Sequence, residues 1–95
     1  MNSTHGEHAV WRRSGQHSEA YDEARRGFLL GKMVYDRRTE LGLSQRELAD
    51  RAGMTQPQVS RLEGGGTTPS IALLERLAEA LNADLSIGFT PHSAA

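Results

Sequence analysis

A chain of 95 residues with a net charge of −1 and no cysteine is sized for one domain with one core, and it excludes disulfides, Cys-based zinc sites and a thiol nucleophile. No apolar run approaches the roughly 20 residues needed to span a bilayer, and the polar N-terminus does not read as a signal peptide, so a cytoplasmic protein without a membrane partner is expected. Nucleic-acid binders usually carry a basic surplus, absent here, yet all basic residues but Lys32 are Arg, which suits bidentate recognition of phosphate and guanine; charge alone decides nothing.

Residues 1–18 are rich in Gly, Ser, His and Arg around one apolar cluster, Ala9-Val10-Trp11, and read as a disordered arm. Helical spacing begins at Glu19. Tyr21, Ala24 and Phe28 recur on one side, and Leu30, Val34 and Leu41 continue a similar stripe. Gly27 and Gly31 leave open a break that would divide this segment into two helices, the second stopping at Gly42.

Ser44-Gln45-Arg46-Glu47 has the pattern of a capping box, a serine hydroxyl and a glutamate each satisfying a free N–H of the first turn. It opens a short helix with Leu48, Ala49 and Ala52 inward and Gly53 as its stop. Thr55 caps a further helix, Gln56 to Glu63, with Val59 and Leu62 inward. Gly64-Gly65-Gly66-Thr67 is a loop. Thr68 as cap and Pro69 in the first turn start the last helix, with Ile71, Leu74, Leu77, Ala78 and Leu81 as its buried stripe.

After Asn82 the period changes from 3.6 to 2: Leu85, Ile87 and Phe89 alternate with small or polar residues up to Pro91, the pattern of one strand over 84–90, followed by a tail, 91–95. An isolated strand leaves its backbone groups unpaired. The expected partner is the same strand of a second copy, antiparallel across a two-fold axis, giving a homodimer joined by Leu85, Ile87 and Phe89; the alternatives are the chain's own core and the Ala9-Val10-Trp11 segment.

The two short helices around Gly53 are joined by a turn too brief for an antiparallel pair, and such a turn sets them at a steep angle in helix-turn-helix geometry. The second helix of such a pair enters the major groove of double-stranded DNA. At 100° per residue, Gln56, Pro57, Ser60 and Arg61 lie opposite Val59 and Leu62. Gln takes adenine through N6 and N7, and Arg takes guanine through O6 and N7, so Gln56 and Arg61 are the expected base readers. Ser60 is a lesser reader, and Pro57 can offer only apolar contact. Free N–H groups and the dipole at helix starts favour phosphate; Gln45, Arg46, Thr55, Gln58, Gly65 and Thr67 are assigned to the DNA backbone, with capping as the other role of Gln58. Arg38 and Glu63 border apolar stripes and are read as a structural ion pair rather than catalytic groups. The histidines, His5, His8, His17 and His92, are scattered without a third ligand. No metal, cofactor or enzymatic activity is expected.

From Leu41 to Leu81 the chain resembles the Cro/C1-type helix-turn-helix family, also called the xenobiotic-response-element (XRE) family. The residues that carry the likeness are Arg38-x-x-Leu41-Gly42-Leu43-Ser44-Gln45-x-x-Leu48-Ala49, Ala52-Gly53-Met54-Thr55-Gln56, Val59-Ser60-Arg61-Leu62-Glu63-x-Gly65 and Pro69-Ser70-Ile71. The resemblance implies an all-α, five-helix domain over 19–83, Gln45 on phosphate, Gln56 and Arg61 toward bases, and the Arg38–Glu63 bridge. A helix before the domain and a single C-terminal strand after it are similar to HigA-type and HipB-type antitoxins. That likeness implies a repressor of its own operon that also neutralises a RelE- or HigB-like toxin through Trp11, Tyr21 and Phe28. A stand-alone XRE regulator shares the same layout, and the near-neutral charge leaves open a module that bridges proteins rather than binding DNA.

Overall fold

The computed structural model describes residues 18–93. Four helices follow in chain order: α1 (Glu19–Glu40), α2 (Gln45–Ala52), α3 (Gln56–Glu63) and α4 (Ile71–Ala80). Each begins where a hydroxyl can accept from the first turn: Ser18 from the Tyr21 N–H, Ser44 from Glu47, Thr55 from Gln58 and Ser70 from Leu73. Each ends on a left-handed residue, Gly42, Gly53, Gly65 or Asn82, which turns the chain out of the helix and lets the next N–H groups reach back to its last carbonyls.

The core is made by Val34 of α1, Leu48, Ala49 and Ala52 of α2, Val59 and Leu62 of α3, and Leu77, Ala80 and Leu81 at the end of α4. Leu43 and Met54, each just beyond a helix-ending glycine, pack against it. Two arginines close helix ends from a distance. Arg37 donates to the carbonyls of Leu81 (3.0 Å) and Asn82 (3.1 Å), and Arg76 donates to those of Ala52 (2.7 Å) and Gly53 (3.1 Å). Both guanidinium groups complement the negative end of a helix dipole.

Several expectations are overturned. The helices number four among the described residues rather than five, and the break left open in the first is absent: α1 runs unbroken through Gly27 and Gly31. These glycines are not stops but a docking face. A Cβ at Gly31 would overlap the Leu62 carbonyl oxygen and lie 3.0 Å from that of Glu63, and one at Gly27 would lie 3.0 Å from the Gly65 carbonyl oxygen. Helix α3 and its following loop approach α1 so closely that only hydrogen fits, and this packing offsets the roughly 1 kcal/mol that each glycine costs inside a helix. The face of α1 turned inward is therefore Gly27, Gly31, Val34 and Arg38. Tyr21 (49% exposed) and Phe28 (58%) point to solvent, contrary to the stripe read from their spacing.

The C-terminal strand is likewise absent, since residues 83–93 hold no regular element. Alternation sets which sides residues take, but a strand also needs a backbone to bond with, and none of the described residues provides one. Leu85 is half-buried, while Ile87 is 65% and Phe89 103% exposed. The last helix is capped by Ser70 rather than Thr68, so Pro69 precedes the cap, and Ile71 is exposed. Ser18, placed in the arm from sequence, is the cap of α1. Residues 1–17, with Trp11 and the Ala9-Val10-Trp11 cluster, and residues 94–95 of the expected tail lie outside the described residues.

Candidate nucleic-acid interface

Helix α3 is short and strongly sided. Val59 and Leu62 are buried, whereas Gln56, Pro57, Gln58, Ser60 and Arg61 are exposed together on its outer surface. The α2–α3 turn supplies its direction. Gly53 at φ 69° ends α2, and Thr55 starts α3 two residues later. A side chain is strained at that φ, so glycine suits the turn. The expected base readers thus share one open face.

The flank of that face nearest α2 is organised from beneath. Arg38 donates from Nε to Glu63 Oε2 (2.6 Å) and from its second terminal nitrogen to Glu63 Oε1 (2.9 Å), a two-pronged ion pair with side chains only 10% and 4% exposed. Its remaining terminal nitrogen donates to the Leu43 carbonyl at 2.7 Å, and its guanidinium carbon stands 5.3 Å from the centre of the Tyr35 ring. Hydrogen bonding to Glu63 raises the pKa of Arg38, against the lowering effect of burial. The two charges paired from sequence are thus in contact.

Glu63 Oε1 also accepts from Gln45 Nε2 (3.0 Å), and Gln45 Oε1 accepts from Gln56 Nε2 (2.7 Å). A carboxylate can only accept, so the Gln45 amide must turn its nitrogen to Glu63 and its oxygen outward. That oxygen in turn requires the nitrogen of Gln56. The Gln56 amide is thereby oriented by a chain of bonds that begins at a buried arginine, with its own Oε1 and second N–H left over. Those are the groups that a bidentate contact with adenine N6 and N7 requires.

This relay changes the reading of Gln45. Its side-chain amide bridges Glu63 and Gln56, so a phosphate at the start of α2 would be met by backbone N–H groups and the exposed Arg46. Sequence spacing could not find the bridge, because Gln45, Gln56 and Glu63 are brought together only by the crossing of α2 and α3. Gln58 takes its second expected role: its Oε1 accepts from the Thr55 N–H (2.8 Å) while its own N–H donates to the Thr55 hydroxyl (3.2 Å). Gly65 is packed against α1, 3.1 Å from its would-be Cβ to the Phe28 Cα, and its N–H donates to the Leu62 carbonyl. That N–H is not available to phosphate; Thr67 is exposed beside it. Arg37 and Arg76, bound to helix-end carbonyls, belong to the scaffold, whereas Arg46 and Arg61 are exposed.

Comparison with known proteins agrees with this geometry. The helix-turn-helix family HTH_3 matches residues 34–87. An HTH-type transcriptional regulator of Methanothermobacter thermautotrophicus is 45% identical over 49 residues, 52% of this chain and 71% of that protein. Among solved structures, the clp gene regulator ClgR of Corynebacterium glutamicum aligns with a TM-score of 0.59 at 31% identity, over 65% of this chain and 77% of its own. The restriction-modification controller protein C.AhdI of Aeromonas hydrophila aligns with a TM-score of 0.56 at 32% identity, over 62% and 86%.

Proposed function

Because the chain belongs to the HTH_3, Cro/C1-type family of helix-turn-helix DNA-binding transcriptional regulators, we propose that it is a sequence-specific repressor that reads its operator with Gln56, Ser60 and Arg61 and acts as a pair of copies in the cytoplasm. The observation that carries this reading is the orientation of the Gln56 amide by the Arg38–Glu63–Gln45 relay. An amide held in one orientation, with two groups free, is a device for telling one base pair from another. Pairing of two copies is supported by Ile87 and Phe89, large apolar side chains left in solvent at the C-terminal end. Two copies would set half-sites about one DNA turn apart, roughly 34–36 Å.

Titration of the labelled chain with duplex from its own gene's upstream region tests the proposal. Amide signals of Gln56, Ser60 and Arg61 should move, and affinity should fall linearly with salt on logarithmic axes. Unmoved signals at all three residues would sink it. Arg61→Ala should cost about 1–3 kcal/mol and relax preference at one position of each half-site. Equal loss on every sequence would make Arg61 a phosphate contact instead. Phe89→Asp should shift the sedimentation of the chain from pair to single copy.

The antitoxin reading is supported by a narrower observation. Tyr21 and Phe28 are exposed on the part of α1 that precedes residue 34, where the family match begins, so two aromatic rings stand in solvent outside the matched segment. Its partner would be a RelE- or HigB-like toxin, bound at Tyr21 and Phe28 with Trp11. Co-expression with the adjacent reading frame should yield a complex that Tyr21→Ala/Phe28→Ala dissolves. Separate elution of the two unaltered chains would leave a stand-alone transcriptional regulator without a toxin partner.

A further inference from the structure

All four helices end on a left-handed residue, so four residues occupy the next position, where a side chain is directed back over the last helical turn. Three of them carry a side chain: Leu43 after α1, Met54 after α2 and Ala83 after α4, of which Leu43 and Met54 pack against the core. After α3 the position is Gly66. The backbone bonds of that ending are complete, with the Gly66 N–H on the Arg61 carbonyl (2.9 Å) and the Gly65 N–H on that of Leu62 (3.1 Å). What is missing is the covering side chain, and the space is filled by Arg61. A Cβ at Gly66 would stand 2.9 Å from Arg61 Cγ, 3.8 Å from its Cδ and 3.3 Å from its carbonyl oxygen.

We propose that Gly66 is a positioning residue for base recognition: by carrying no side chain it lets the stem of Arg61 lie against the loop backbone, and so sets where the guanidinium is presented to the duplex. Gly66 is not among the glycines with positive φ, so alanine enters without the backbone strain it would meet at Gly65. The Arg61 guanidinium has no hydrogen bond or ion pair among the described residues that could hold it in place of this contact. Contact with the loop therefore restricts the rotamers of a long side chain, whose immobilisation on binding is otherwise costly. The inference rests on the DNA-reading role of Arg61 and adds the residue that governs it.

A double-mutant cycle on the full chain tests it, with the upstream duplex and a series of duplexes bearing single base-pair changes, each followed by fluorescence anisotropy. Gly66→Ala should lower discrimination by about tenfold or more at the same base pair that Arg61→Ala relaxes, the loss expected when one bidentate contact is disturbed. Added to Arg61→Ala, it should have no further effect, because its target is gone. Equal losses in both backgrounds, or undiminished discrimination in Gly66→Ala, overturn the inference. If instead Arg61→Ala itself discriminates as the parent does, the base-reading role fails and the cycle shows that separately. A measurement on the unaltered chain guards against a poorly folded variant: nuclear Overhauser contacts between Gly66 Hα and Arg61 Hγ should be present, and their absence also overturns the inference.

Discussion

The two flanks of α3 present polar side chains to the same solvent but hold them differently. On the flank facing α2, Gln56 ends a chain of hydrogen bonds that passes through Gln45 and Glu63 to buried Arg38. On the flank facing the glycine loop, Arg61 rests against bare backbone and has no bond to any described side chain. The difference teaches how a short helix can combine two kinds of recognition. An amide must be oriented before it can distinguish adenine, since its two ends are nearly the same shape. A guanidinium donates from every edge and needs only its direction restricted.

Removing the anchor of the first flank should have the largest effect. Glu63→Ala leaves Arg38 charged and buried without its carboxylate, and should cost about 3–5 kcal/mol of folding stability in urea denaturation. A loss below about 1 kcal/mol would show that the pair does not anchor the helix. Next comes the approach of α3 to α1: Gly31→Ala pushes a methyl group into the Leu62 and Glu63 carbonyls and should destabilise by about 1–3 kcal/mol. The same change at Gly42, whose Cβ would meet nothing within 4 Å but whose φ is 73°, separates clash from backbone strain.

Gln45→Ala sharpens the comparison by removing one bond to Glu63 while leaving both Arg38–Glu63 bonds in place. It should weaken operator binding by roughly 1 kcal/mol, the worth of one hydrogen bond, with discrimination lost at the base proposed for Gln56 and retained at the one proposed for Arg61. Loss at both would mean that the flanks are not independent. The smallest effect is that of acid. Hydrogen bonding from the Ser44 backbone N–H holds the carboxyl of Glu47 below its ordinary pKa. A lowered folded pKa contributes stability that is full above the unfolded value, about 4.3, and is lost as pH falls through the folded one. The melting difference between the parent and Glu47→Ala should therefore narrow as pH drops below about 4. A constant difference would show that the capping box does not depend on that charge.

Much of the site could be read along the chain because its signals are local. Ser44 and Thr55 as caps, Gly53 as the turn, the buried pair Val59 and Leu62, and the exposed set Gln56, Ser60 and Arg61 all follow from spacings of four residues or fewer, which one helical turn already determines. The bounds of α2 and α3 agree with that reading. The Arg38–Glu63 pair was legible from two charges bordering apolar stripes.

Only the tertiary structure decided the rest, because the deciding partner was distant in sequence. Gly27 and Gly31 look like interruptions until the carbonyls of α3 and its loop arrive against them, at which point a continuous helix with a small-residue face is the better solution. Tyr21 and Phe28 have helical spacing, but spacing does not say which side of a helix will be covered. Leu85, Ile87 and Phe89 alternate as a strand does, yet alternation supplies no neighbour to bond with. Gln45 looks like a helix-start residue, and the crossing of α2 over α3 makes it the bridge between the buried ion pair and the exposed amide of Gln56. Periodicity determines local shape, whereas contact between segments determines which of two locally acceptable shapes, and which of two sides, is used.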